Sequence, residues 1–212
     1  MRKETIKKMT VMAMLAALSM VLVYAIHVPL IPVVPFLEYD PADIPILIAA
    51  MAYGPVSGLV LTVVVSIIQG MFISTTGPWG ILMHIIGTGS MVLTAGGIYK
   101  ARRTKGGAVL GLILATLVRA LVMIPANHFI TPIWMGAPVE VVDSLMITGI
   151  IPLNLIKAAI NSGITFVVYK AVSRYPKFLP LPTFCKSALL FCRLFLFACC
   201  RSSVFLLCIR FF

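Results

Sequence analysis

Along the chain, long apolar runs alternate with short polar breaks. Five runs approach the roughly 20 residues that span the hydrocarbon core of a bilayer: Met9–Ile26, Val56–Ile73, Trp79–Tyr99, Gly106–Ala126 and Ser144–Val172. Nearly every position in them is apolar. A transmembrane β-barrel would instead show short segments of alternating polarity, so the runs predict helices, whose backbone groups all pair internally where lipid offers no partner. A sixth run, Ile44–Tyr53, is apolar but short. It either crosses by recruiting its flanks or forms a buried or re-entrant piece. The first run has a basic start, as a cleaved signal would, but it is longer than a typical signal core. No small-residue cleavage site precedes the polar Glu38–Asp43 loop, so it reads as a retained first helix. The expected fold is an all-α membrane protein of six transmembrane helices in a compact bundle, residues 1–176, followed by an atypical tail, 177–212.

Composition agrees. Hydrophobic residues make up 61% of the chain and charged ones 11%, with a mean hydropathy of +1.10. A soluble domain carries about one-quarter charged residues. The net charge of +11 does not point to nucleic acid, because it is sorted by loop as the positive-inside rule requires. With the N-terminus in the cytoplasm, Arg2, Lys3, Lys7 and Lys8 lie inside, as do Lys100, Arg102, Arg103 and Lys105, and Lys170, Arg174 and Lys177. The loops assigned outside, Val28–Asp43, Ser74–Pro78 and Asn127–Asp143, hold no Lys or Arg, but do hold Glu38, Asp40, Asp43, Glu140 and Asp143. This sorting needs an even number of spans before Lys170, which favours counting Ile44–Tyr53 as a crossing.

Two basic residues stand inside spans, Arg119 and Lys157. Insertion of such a charge costs about 2.5–3.5 kcal/mol, so it normally faces a partner, a cavity or an interface. Lys157 follows Asn154 by three positions, which puts both on one helical face near the outer side. An amide and an ammonium suit the polar edge of a small ligand. Equally, Lys157 could snorkel to the interface and Asn154 bond another helix. Arg119 is open to snorkelling, internal pairing or a partner protein. Asn127 and His128 mark the outer end of the fifth span, before Thr131-Pro132, where proline restrains the departing chain; Asn127 alone suggests a cap. Asp43 suits the N-cap of the second helix. The prolines and aromatic pair of Pro35–Pro45 suggest an ordered loop packed over something. Ala13 and Ala17 form a small-xxx-small pair that admits another helix. His27, His84 and His128 lack metal-ligand spacing and have no nearby Cys, so no metal site is expected. No G-x-x-x-x-G-K-[ST] loop is present, so ATP would have to be hydrolysed by another chain.

Taken in order, Pro35–Pro45, Asn127 with Thr131-Pro132, and Asn154-x-x-Lys157 resemble the riboflavin-specific substrate-binding (S) component of energy-coupling factor transporters. The likeness covers about Met9 to Lys170. It implies a six-helix body that binds vitamin in an outward-facing cavity, in a bacterial cell membrane. It also implies a membrane coupling (T) component with two cytoplasmic ATP-binding subunits. By this resemblance Ala13 and Ala17 meet the coupling protein, and Asn127, Thr131, Asn154 and Lys157 bind the flavin, riboflavin or its phosphate FMN. The loop Leu37, Glu38, Tyr39 and Asp40 would close over it. Riboflavin is then transported substrate, and no resident cofactor is expected.

The likeness ends near Pro176. The tail holds all five cysteines, Cys185, Cys192, Cys199, Cys200 and Cys208; they fit no zinc spacing, and a disulfide framework does not suit a cytoplasmic start. The tail could form a seventh span, an interfacial amphipathic segment or an anomalous end such as a shifted reading frame; the last two are favoured over a functional module, and the tail is given no substrate role. Competing classes are an S component for another vitamin, a stand-alone secondary transporter, and an intramembrane enzyme. The transporter is disfavoured because no Asp or Glu falls within an expected span, and the enzyme because no His and carboxylate cluster shows in the sequence.

Overall fold

A computed structural model of the chain describes residues 2–26, 28–29, 38–73 and 76–173. Met1–Tyr169 is one compact unit, and everything below concerns it, apart from the last turn of the final helix. The tail, 177–212, lies outside the described residues.

Helix α1 (Arg2–Ala25) leads to a two-residue strand, β1 (Val28–Pro29), antiparallel to β2 (Glu38–Tyr39). Then come α2 (Asp43–Tyr53), α3 (Pro55–Phe72), α4 (Gly77–Ala101), α5 (Lys105–Met135), α6 (Val139–Leu145) and α7 (Ile151–Ser173). A π-helical segment, Met146–Ile150, joins α6 to α7. Among the described residues, five stretches are long and apolar enough to cross a membrane, and α2 is a shorter apolar helix.

The short helix α2 completes a crossing with help from the loop before it. Lys8 lies 5.9 Å over the ring of Tyr53, so the last turn of α2 sits beside the basic start of α1. About eleven residues further along α1, Ser19 Oγ donates to Ala42 O at 3.2 Å. The two helices are therefore antiparallel, and the start of α2 stands ~16 Å above the level of Lys8 at 1.5 Å per residue. That is about half of a 30 Å hydrocarbon core. Just before α2, Tyr39, Asp40 and Ala42 are buried in the bundle.

Small residues permit this insertion. A Cβ on Gly58 of α3 would stand 2.6 Å from Ala50 Cβ, 2.7 Å from Val92 Cγ1 and 2.9 Å from Ala50 Cα, so α2, α3 and α4 meet nearly backbone to backbone. Gly58→Val is expected to lower stability by about 1–3 kcal/mol through overpacking, read as a lower melting temperature in detergent; an unchanged midpoint would refute this close packing.

Two sequence expectations fail at α5. It starts where expected, with Thr104 Oγ1 accepting from Gly107 N at 3.0 Å, but runs past Ala126 through Pro125 and Pro132 to Met135 and ends on left-handed Gly136. Prolines that end helices in water are tolerated among membrane helices, where neighbours re-satisfy the freed carbonyls. Thr131-Pro132 is thus helical, not a departing segment. The last span likewise begins earlier than Ser144, at Val139.

Candidate functional site: an outward cavity over a buried ion-pair network

The end of α3, the start of α4, the outer half of α5 and the start of α7 surround a cleft of about 1020 Å³, counted with its open mouth. Asp40, Gln69, Trp79, His84, Arg119, Asn127, Thr131, Trp134, Asn154 and Lys157 contribute to its walls, with apolar residues such as Met83, Met123, Ile130 and Leu153. All the helix ends it uses belong to the side opposite Lys8. Two indoles among aliphatic side chains, with a few converging polar groups, are the usual make-up of a small-molecule site.

Beneath it, charged groups that the sequence scatters are brought together. Asp40 is buried; its Oδ1 accepts from Ala42 N at 3.0 Å, and its Oδ2 accepts from Gln69 Nε2 at 2.9 Å and from Lys157 Nζ at 3.3 Å. Asp43, fully buried, accepts from Arg119 NH1 at 2.6 Å, from Thr88 Oγ1 at 2.6 Å and from Asn161 Nδ2 at 2.9 Å. Asn161 Nδ2 also reaches Asp40 O at 3.2 Å, while its Oδ1 accepts from Tyr39 OH at 2.7 Å. Asp40 and the first residue of α2, Asp43, are thereby tied to α3, α4, α5 and α7. Each charge has a partner of opposite sign plus neutral hydrogen bonds, the condition for burying ions without neutralising them.

His84 sits between the carboxylates, with Nε2 at 3.4 Å from Asp40 Oδ2 and 3.5 Å from Asp43 Oδ1. Its Nδ1 is 2.7 Å from Ser66 Oγ, whose single hydrogen goes to Thr62 O at 2.7 Å. Asp40, Asp43 and His84 bring potential metal-ligand atoms within 4.8 Å of one another, which the spacing of the histidines had not suggested. Lys157 and Arg119 already neutralise both carboxylates, so the arrangement is that of an ion-pair network.

Several expectations are corrected. Asp43 does not cap α2: the N-cap is Ala42, without a side-chain cap, and the Asp43 carboxylate is spent on Arg119, Thr88 and Asn161. Arg119 is assigned to this internal pair. Asn127 is no helix cap; it lies within α5, donating to Met123 O at 2.7 Å and accepting from Thr131 Oγ1 at 3.0 Å. Asp40 and Asp43 are not solvent-side loop residues but stand inside the bundle, so the absence of acids from the membrane interior does not hold.

Of the residues picked from the sequence, Asp40, Asn127, Thr131, Asn154 and Lys157 all line the cleft. Asn154 Nδ2 donates to Ile150 O at 2.9 Å, at the π-helical junction. Tyr39 is buried against Asn161 and does not line the cleft. Glu38 pairs through its backbone with Pro29, and Leu37 lies outside the described residues. Ala13 and Ala17 are exposed on α1. Gln69, Trp79, His84 and Trp134 were missed, because nothing local in sequence marks them as neighbours of Lys157.

The sequence pattern of the family described as "ECF transporter, substrate-specific component" matches residues 7–169. The chain belongs to this family. It is 30% identical to the riboflavin transporter RibU of Staphylococcus aureus, over 81% of this chain and 93% of that protein. It is 24% identical to the riboflavin transporter FmnP of Bacillus subtilis, over 77% and 90% of the two chains. The solved structure of the S component of a bacterial ECF transporter superposes with a TM-score of 0.72 at 31% identity, covering 82% of this chain and 99% of that one. The cleft is thus a cavity in an ECF S component, a multi-pass membrane subunit of a transporter family.

Proposed function

We propose that this S component binds riboflavin from the outside of a bacterial cell and delivers it through an ATP-driven importer. The observation that carries the reading is the cleft itself, which opens away from the basic helix ends and combines the Trp79 and Trp134 indoles with Asn127, Thr131, Asn154 and Lys157. A flavin has broad apolar faces for the first group and a polar pyrimidine edge and hydroxyls for the second. Relatives that cover nearly their whole length with this chain are riboflavin transporters, which supports the choice of vitamin. Energy would come from a membrane coupling component and two cytoplasmic ATP-binding subunits, with exposed Ala13 and Ala17 on α1 offering a close-approach face to the coupling component. Riboflavin is cargo in this reading, and no resident cofactor takes part.

Titrating the detergent-purified protein with riboflavin tests it. Stacking on indoles quenches flavin emission, so near-stoichiometric quenching at about micromolar protein or below is expected. Folded protein that leaves riboflavin emission unchanged, yet binds a different vitamin, would redirect the reading to that vitamin.

A further inference from the structure

The turn that joins α4 to α5 presents Lys100, Arg102, Arg103 and Lys105, all exposed and without an ion pair among the described residues. A Cβ on Gly96 would stand 3.1 Å from Pro55 Cα, and Pro55 follows the end of α2 that Lys8 covers. The end of α4 is thereby on the cytoplasmic side, and the four cations stand just beyond the hydrocarbon layer. Nothing in the sequence there answers their charge: no Asp or Glu lies between Asp43 and Glu140, and Glu4 is the one acid on that side of the spans.

The turn is closely built. Arg102 N donates to Ile98 O and Thr104 N to Arg102 O, each at 2.8 Å, and Thr104 Oγ1 accepts from Gly107 N at 3.0 Å. A Cβ on Gly107 would collide with Arg102 O, so the cations are carried on backbone held against the first turn of α5. Leu110, Ile113, Leu117 and Leu121 follow at spacings of three and four, all exposed, and make one apolar stripe leading from the turn into the hydrocarbon layer.

A soluble anion or an acidic protein surface would use the cations and leave the stripe idle. A phospholipid uses both, its phosphate on the turn and an acyl chain along α5. Net charge chooses among phospholipids, because a zwitterionic headgroup brings its own ammonium into the cluster. We infer that the Lys100–Lys105 turn and the α5 stripe form a binding site for an acidic phospholipid of the cytoplasmic leaflet. This holds whichever vitamin fills the cleft.

Native mass spectrometry of the detergent-purified full-length protein tests it, with equimolar phosphatidylglycerol and phosphatidylcholine of identical chains. Attraction near an anionic surface amounts to about fivefold per cation, so wild type should retain phosphatidylglycerol over phosphatidylcholine by at least about tenfold. Arg102→Gln, Arg103→Gln, Lys105→Gln together should bring the ratio to within about twofold of one, with the melting temperature unchanged. Arg2→Gln, Lys3→Gln, Lys7→Gln removes equal charge from α1 and should leave the ratio as in wild type. Equal falls in both triple variants would mean diffuse attraction to the whole cytoplasmic face and overturn the site, as would a wild-type ratio near one. Should the first triple variant not stay monodisperse, Arg103→Gln alone decides: a ratio at least about threefold lower supports the site, and an unchanged one overturns it. Excess glycerol 3-phosphate should leave the lipid bound; its displacement would reduce the site to one for free phosphate and overturn the lipid.

Discussion

Asp43→Ala is expected to be the most destabilising single change in the bundle, lowering stability by about 3–5 kcal/mol, as removal of one partner from a buried ion pair does elsewhere. It strands the Arg119 guanidinium, only 3% exposed, inside the bundle and deprives Thr88 Oγ1 and Asn161 Nδ2 of their acceptor. The measurement is thermal unfolding in detergent. The control is Asp43→Leu with Arg119→Met, which deletes both charges; replacing a whole buried pair by apolar residues is often neutral. Recovery in the double variant would locate the loss in the unpaired charge. A single variant that melts with wild type would show that the contact between α2 and α5 does not hold the bundle.

That pair also shows what could be read in advance. The spans and their orientation follow from apolar length and from Lys and Arg sorted by loop, both local properties. Parity of charge, not length, identified the eleven residues of α2 as a crossing, and the contacts Lys8–Tyr53 and Ser19–Ala42 show how they achieve it. Asn154 and Lys157 were legible as a site because helical periodicity puts them on one face. The partners of Arg119 and Lys157 were not, since the two ion pairs join residues 76 and 117 positions apart. One clue was available: the chain has only six acidic residues, and two buried cations must draw on them. Three of the six lie in the first outer loop. What hid the answer is that a loop rich in Asp, Glu and Pro reads as solvent-facing, whereas here Gly58 and Ala50 let α2 pack so closely that Asp40 and Asp43 stand inside the bundle. The length of α5 was hidden for the opposite reason, because Pro125 and Pro132 signal a helix end in water and do not enforce one among packed helices.

The other large effect is expected on the ligand. Asn154→Ala with Lys157→Ala should weaken riboflavin binding by at least tenfold, about 1.4 kcal/mol. Both side chains are buried and line the cleft, so a ligand that fills it cannot avoid them. Their removal also frees the Asp40 carboxylate from Lys157, and an unpaired buried carboxylate would repel the carbonyl edge of a flavin. The two contributions separate. Asn154→Ala alone removes an amide whose Nδ2 is held by Ile150 O and leaves the ion pair at Asp40 intact, so its effect reports ligand contact. Lys157→Ala combined with Asp40→Asn removes the ammonium without stranding the charge, so the residual loss in that variant reports what Lys157 itself gives the ligand. Monodisperse protein with wild-type riboflavin affinity in the Asn154→Ala, Lys157→Ala variant would move the binding surface away from α7, toward the indoles of Trp79 and Trp134.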